Sequence, residues 1–222
     1  MAYILTADGG TESLRARLYD LEGTCVASHA EAYETVFLTG ARAEQRPQDW
    51  WDCLVKATRA CLAAANVSGD QVEAMAYATT CCTVVALDHK GDALRPDIFD
   101  QATTICEYQD YLTLKLTGER CASLNNVGLR WHYDNRGSGW ASTMVDALGM
   151  PELVQKWPSR VAAPGEVVGT LTPKAAEALG LTTATKVVQG GADALIGMIG
   201  LGVARPGQLC LITGSSHLQF GV

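Results

Sequence analysis

The chain has no excess of positive charge: 17 lysines and arginines stand against 24 aspartates and glutamates, a formal net charge of −7 over 222 residues. Such a surface repels a phosphate backbone, so nucleic acid is not an expected partner. A local anion site is still allowed, because consecutive backbone N–H groups bind phosphate without net charge. No run is long and apolar enough to span a bilayer, so no membrane partner is expected. The opening Met1-Ala2-Tyr3-Ile4-Leu5 reaches Asp8 too soon for the apolar region of a signal peptide. A cytoplasmic location is the resulting expectation. The eight cysteines contain no C-x-x-C pair, and only Cys81 and Cys82 stand close together. That excludes a zinc pattern and a disulfide framework, and leaves buried free thiols in a reducing compartment. None of the four histidines pairs with a nucleophile in the sequence. Low-complexity segments and short repeats are also missing. What is present, 48% hydrophobic and 18% charged residues, is the composition of one large globular domain or two small ones.

Periodicity organises the chain. Tyr3–Ala7 reads as a strand and Asp8-Gly9-Gly10-Thr11 as a turn. Leu14, Ala16 and Leu18 then alternate with polar residues, and residues 24–28 return as a third strand of an antiparallel meander. Pro47 opens a helix whose stripe runs through Trp50, Leu54, Cys61 and Leu62 and stops near Asn66 and Gly69. Strands are predicted at 72–78 and 83–88, with a hairpin-like turn at His89-Lys90-Gly91-Asp92. A helix including Ile105 is predicted between Asp100 and Thr117, stopping at Gly118. Residues 125–140 lack periodicity and read as loop. Short helices follow at 142–148 and between Thr172-Pro173 and Gly180. A strand at 186–189, a helix at 194–201 and strands at 208–213 and 218–222 complete the reading. The strand, small-residue turn, strand pattern of residues 3–19 is echoed at 208–222.

The turns are where chemistry is possible. Asp8-Gly9-Gly10-Thr11 is either an ordinary hairpin or a phosphate cradle, in which Thr11 and Ser13 add hydroxyls and Asp8 holds a divalent cation through water. Thr213-Gly214-Ser215-Ser216 has the same physics, so two hairpins could clamp one polyphosphate. Asp193, after Gly190-Gly191-Ala192, is either a helix-capping residue or a general base that accepts a hydroxyl proton. Trp50 and Trp51 read as core, whereas Trp131 beside Arg130 is open between core and carbohydrate contact. His132 reads as surface. Glu44-Gln45 leans towards a helix start.

Several ordered segments resemble the FGGY family of carbohydrate kinases. They are residues 8–16 (DGGTESLRA), 43–51 (AEQRPQDWW), 110–118 (DYLTLKLTG), 164–169 (PGEVVG) and 190–194 (GGADA). The resemblance implies an α/β chain, a ribonuclease-H-like (actin-like ATPase) lobe with a mixed sheet and flanking helices. It divides the chain into an N-terminal, sugar-binding lobe over 1–204 and the start of a C-terminal lobe over 205–222. It implies phosphoryl transfer from ATP, with Mg²⁺, to a hydroxyl of a small sugar or polyol, Asp193 being the base. Asp8 would assist the metal. Gly9, Gly10, Thr11, Ser13, Arg15, Thr213, Gly214 and Ser215 would face phosphate. Thr80, Cys81, Cys82 and Trp131 would join Asp193 around the sugar. Thr80-Cys81-Cys82-Thr83 resembles ribulokinase-like members, which points to a ketopentose or pentitol. Two departures from the family pattern also follow. A W-x-D-x-R segment expected after Leu94-Arg95-Pro96 is absent, and the chain stops where a C-terminal lobe would continue. Non-catalytic binding of sugar or of a full-length kinase is therefore the alternative, and a nucleotide-binding regulator of the same fold is a third. Exposed apolar surface near Leu218–Val222 is expected to favour a homo-oligomer.

Overall fold

The computed structural model describes residues 1–95, 99–213 and 217–222. The chain opens as the predicted meander: β1 (Tyr3–Gly9), β2 (Ser13–Asp20) and β3 (Cys25–Ala32) pair antiparallel in sequence order. Side chains alternate across a strand, so Leu5 and Ala7 of β1 and Leu14, Ala16 and Leu18 of β2 fall on one buried face. β3 is mostly exposed, in keeping with its place at the sheet edge and with its His29 and Glu31. A small hairpin, β4 (Val36–Leu38) and β5 (Arg42–Glu44), leads into α1 (Pro47–Ala65). Pro47 occupies the first turn, where its missing N–H costs nothing, and Asn66 ends the helix in the left-handed region at φ 52°. α1 lays Trp50, Leu54, Ala57, Cys61 and Leu62 against β2 and β3.

β6 (Val72–Thr79) runs parallel to β1 and carries the sheet past the meander. β7 (Val84–Leu87) and β8 (Thr104–Glu107) form a separate antiparallel pair. Ile105 therefore lies in a strand, not in the helix predicted for it. All four residues of β8 are buried, so the segment has no alternation to betray it. The helix, α2 (Tyr108–Thr117), starts only after Glu107 and ends at Gly118, left-handed at φ 78°. β9 (Cys121–Ser123) leads directly into α3 (Leu124–Arg130), where a loop was expected. Short helices α4 (Ser142–Ala147) and α5 (Leu153–Lys156) are followed by β10 (Arg160–Ala162), which pairs with β9. β11 (Val167–Thr170), α6 (Pro173–Leu179) and β12 (Lys186–Val188) return the chain to the main sheet. The Thr172 hydroxyl caps α6 by accepting from the Ala175 N–H, as the sequence predicts.

α7 (Asp193–Gly200) leaves the sheet, and β13 (Leu209–Thr213) and β14 (His217–Gly221) form a two-stranded sheet of their own. The main sheet has the order β11-β12-β6-β1-β2-β3, with β1, β6 and β12 parallel. This is the expected mixed α/β sheet with flanking helices. Its principal core joins the sheet to α1, α2 and α6 around Leu5, Leu18, Trp50, Met75, Leu112, Leu116 and Leu179. Trp50 stacks on Tyr108 at 3.9 Å between ring centroids, so both tryptophans of α1 are core as predicted. A second cluster gathers Ala102, Ile105, Val145 and Trp157, with Trp131 and Trp140 packed against it. Leu201, Leu209, Leu211 and Leu218 are exposed at 71, 65, 60 and 39%; Leu209 and Leu211 share one face of the β13–β14 pair, and Leu218, opposite Ile212, lies on the other.

Candidate active site

In an open α/β sheet, ligands gather outside the carboxyl ends of the parallel strands. Here three turns leave those ends. Gly10 to Glu12 follow β1, Thr80 to Thr83 follow β6, and Gly190 to Ala192 follow β12. They are laced together through the backbone. The Thr80 N–H donates to the Gly9 carbonyl at 2.8 Å, and the Thr79 N–H donates to the Gly191 carbonyl at 3.1 Å. Thr79 and Ala192 form a parallel bridge that prolongs the β6–β12 pairing.

The two glycines before Asp193 are demanded by that lacing. A Cβ on Gly190 would stand 1.7 Å from the Tyr77 carbonyl oxygen, and one on Gly191 would stand 2.6 Å from Asn125 Oδ1. The Ser123 hydroxyl donates to the Gly190 carbonyl at 2.9 Å, and Asn125 Oδ1 accepts from the Ala192 N–H at 2.9 Å. Asp193 is thus delivered to the sheet edge as the first residue of α7. The N-cap is Ala192, and among the described residues the Asp193 carboxylate accepts only its neighbour's N–H, from Ala194 at 2.7 Å. Partial burial pushes the Asp193 carboxyl above its ordinary range, the Ala194 bond opposes this, and the negative charge of Asp8 adds to it. The structure therefore brings Asp8 and Asp193, far apart in sequence, within electrostatic reach.

The β1–β2 turn is closed by the Gly10 N–H donating to the Ser13 carbonyl at 2.9 Å. It is also held from below. Gln45 Nε2 donates to the Thr11 carbonyl at 2.7 Å, and the Tyr33 hydroxyl donates to the Gly10 carbonyl. Gln45 Oε1 accepts from Trp50 Nε1 at 3.1 Å, so Gln45 braces the turn instead of starting α1, whose N-cap is Arg46. Gly9 has Tyr108 against it, with 2.7 Å between the Tyr108 hydroxyl and a would-be Cβ. Thr11 is exposed at the tip, while Ser13 and Arg15 are partly exposed. Arg15 lies 3.9 Å from Asp8, and both side chains are about half exposed (42 and 52%), so the pair contributes little stability.

A cavity of about 590 Å³ opens beside these turns. Thr11, Gln45, Thr80, Cys81, Cys82 and Trp131 all line it, whereas Asp193 is not among its walls. Sequence reasoning missed the residue that organises that wall. Glu107 is 1% exposed; its Oε2 accepts from the Cys82 N–H at 3.0 Å and from Asn126 Nδ2 at 2.9 Å, and its Oε1 accepts from Trp131 Nε1 at 2.8 Å. The signal available was a lone carboxylate in the apolar run Thr104-Ile105-Cys106-Glu107-Tyr108. His132 is exposed, as expected. Thr213 is exposed at the end of β13, in a sheet separate from the main one, while Gly214 and Ser215 lie outside the described residues. A second hollow of about 420 Å³, between α1 and Gly180, lies away from these turns.

Among the described residues no three His, Cys, Asp or Glu side chains cluster as a metal cage. Mg²⁺ does not require one, since it keeps several waters and takes one or two carboxylates plus phosphate oxygens. Asp8, half exposed near the end of β1, fits that donor set as a single carboxylate acting through water. Among the described residues no helix is long and apolar enough to cross a membrane.

The N-terminal domain of the FGGY family of carbohydrate kinases matches residues 3–98 and 93–200 of this sequence. The chain belongs to that family. The two matched stretches overlap at residues 93–98. An autoinducer-2 kinase of Klebsiella pneumoniae subsp. pneumoniae is 26% identical over 276 residues, covering 99% of this chain and 51% of that protein. An alignment of 276 positions to a chain of 222 residues leaves on the order of fifty positions of that kinase without a counterpart here. An autoinducer-2 kinase of Escherichia coli (strain K12 / DH10B) is 34% identical over 125 residues, 56% of this chain and 23% of that protein. The chain spans about half the length of the curated relatives it matches most fully. A xylulose kinase from Lactobacillus acidophilus superposes with a TM-score of 0.88 at 17% identity, over 98% of this chain and 53% of that one. Plasmodium falciparum glycerol kinase with ADP superposes at 0.85 and 14% identity, over 99% and 54%. The fold is therefore the actin-like ATPase lobe of the sugar kinases, as the motifs implied.

Proposed function

We propose that this FGGY chain forms the sugar-side half of a site that transfers the γ-phosphoryl group of ATP to a hydroxyl of a sugar or polyol. The observation that carries the reading is the lacing of the turns after β1, β6 and β12 at one sheet end, which places Asp8 and Asp193 near a cavity walled by Thr80, Cys81, Cys82 and Trp131. Asp193 takes the proton of the attacking hydroxyl, a role favoured by a carboxyl raised towards working pH. The β1–β2 turn, with Gly9, Gly10, Thr11, Ser13 and Arg15, faces the phosphates and is held rigid by Gln45 and Tyr33. Thr213, Gly214 and Ser215 supply the second phosphate turn. Asp8 would hold Mg²⁺ through water, and the ion would supply charge neutralisation at the phosphates. The division into a lobe over 1–204 and the start of another over 205–222 belongs to the same reading, and so does a cytoplasmic location.

A ketopentose such as ribulose or xylulose, or a pentitol, is the substrate class proposed. The names of the similar proteins add autoinducer-2, gluconate and glycerol to the compounds worth testing. The deciding assay is ADP release by the purified chain with ATP, Mg²⁺ and this panel, beside an Asp193→Asn control. Sugar-dependent turnover lost in the control supports the kinase. A folded chain without turnover, protected by a sugar in thermal unfolding, supports the second reading: a non-catalytic sugar-binding member. The break of the family match into two stretches at 93–98, with 276 aligned positions against 222 residues, is read as a lost segment and favours that second reading. Self-association through exposed Leu209 and Leu211, which share one face of β13, is part of both, and light scattering that finds only monomer at high concentration would remove it.

A further inference from the structure

Consecutive residues in an extended segment point to opposite faces, so neighbouring cysteines do not ordinarily touch. After β6 they do. Cys82 adopts the left-handed region at φ 73°, which few residues other than glycine occupy, and the Cys81 and Cys82 sulfurs stand 3.3 Å apart. The backbone is held in this shape from outside the turn, because the Cys82 N–H donates to the buried Glu107 carboxylate at 3.0 Å. The two thiols also differ. Cys82 is exposed and has the Arg130 guanidinium against its sulfur, whereas Cys81 is half-buried in the cavity wall. A fixed positive charge beside an exposed sulfur is the setting of a reactive cysteine.

We propose that Cys81 and Cys82 are a redox-active vicinal dithiol, a modification site that glutathione disulfide or a similar small disulfide oxidises to a Cys81–Cys82 disulfide. The Cys82 thiolate attacks one sulfur of glutathione disulfide, an S–S bond forms, and a glutathione thiolate leaves. Cys81 then gives its proton to solvent base and attacks the Cys82 sulfur, expelling the second glutathione thiolate. The pair loses two electrons and two protons, and the glutathione disulfide gains them as two glutathione thiols. Burial, followed by the neighbouring Cys82 sulfur, pushes the Cys81 thiol up to about 12. Cys81, half-buried with its sulfur 3.3 Å from that of Cys82, is thereby the second, resolving thiol. Adjacent Cα atoms lie about 3.8 Å apart, below the spacing disulfides prefer, so this bond is strained and readily reduced again. Its formation pulls Cys82 from Arg130 and moves the turn whose Thr80 N–H holds Gly9.

The test is by mass and needs no kinase activity. The folded chain is incubated with glutathione disulfide, blocked, and cut after Glu73 and Asp88. Residues 74–88 contain Cys81 and Cys82 and no other cysteine. The expected result is that peptide less two hydrogens, restored by reduced glutathione. Cys81→Ser should instead hold a stable glutathione adduct on Cys82, and Arg130→Gln should slow the first step several-fold. An unmodified 74–88 peptide while exposed Cys25 becomes glutathionylated would overturn the proposal. So would a wild-type adduct as persistent as that of Cys81→Ser.

Discussion

The indole nitrogen of Trp131 donates to Glu107 Oε1 at 2.8 Å, while the other oxygen of the same buried carboxylate holds the Cys82 N–H and Asn126. One side chain thereby fixes two walls of the cavity from inside the core. Glu107→Ala leaves three buried or half-buried donors without their acceptor, and a loss of about 3 kcal/mol or more is expected. Glu107→Gln keeps one carbonyl oxygen and should lose about half as much. Chemical denaturation measures both. If Trp131 contacts sugar, ligand protection should vanish in the alanine variant and persist, weakened, in the glutamine variant.

Gly190 and Gly191 are consecutive, but they should respond differently to a methyl group. At Gly190 the obstacle is the Tyr77 carbonyl oxygen, 1.7 Å away in the middle of the sheet, and it cannot step aside. Gly190→Ala is expected to cost about 3 kcal/mol or more, or to prevent folding. At Gly191 the obstacle is the Asn125 side chain, which can rotate but then releases the Ala192 N–H. Gly191→Ala should cost about 1–2 kcal/mol and displace Asp193. Thermal unfolding of the two variants ranks them, and equal losses would contradict the geometry.

These contrasts show where the sequence was legible. β1, β2 and α1 sit half in the core, so their periods of two and of 3.6 residues are written in Leu5, Leu14, Leu18, Leu54 and Leu62. β8 is buried on every side, so Ile105 and Cys106 carry no period, and by sequence the strand merges with the helix that follows it. α3 was missed because its buried residues include Asn126, which bonds Glu107, so polarity there marked an internal network and not solvent. The turns that carry Asp8 and precede Asp193 are legible because their glycines announce them. Glu107 was not, because its role depends on partners from β6's turn and α3 that only the fold brings to it.

The Asp8–Asp193 relationship predicts a pH effect. Burial first, and then the Asp8 charge, raises the Asp193 carboxyl, so a base at this position loses activity as pH falls through that raised value. Asp8→Asn removes one raising cause. The acid limb of kcat against pH should therefore move to lower pH, even though total activity falls with the loss of Asp8. Asp193→Asn should lower kcat by about 10²–10⁴ at every pH. An acid limb that does not move in Asp8→Asn would show that the two carboxylates do not interact in the working site.

Asp110 makes a prediction about stability that stands apart from catalysis. It lies in the first turn of α2, 4% exposed, where its carboxylate accepts from the Glu107 N–H at 3.0 Å and the Ser123 N–H at 2.9 Å. Burial pushes this carboxyl up to about 7, the two N–H bonds pull against that, and the Glu107 charge adds to it. In the unfolded chain the group titrates near the ordinary aspartate value of about 4. Between those two values the folded chain holds a proton that the unfolded chain has released, so stability falls as pH rises from about 4 to about 7. Above that window the loss is complete and the curve flattens, as far as this group is concerned. Asp110→Asn replaces one acceptor by an amide that faces an N–H donor, which should cost about 1–3 kcal/mol at pH 5. It also removes the titration, so the variant's midpoint should change less between pH 5 and 8, and the gap to wild type should narrow as pH rises. Urea unfolding at three pH values across this range decides it: parallel curves for the two proteins would place the pH dependence elsewhere.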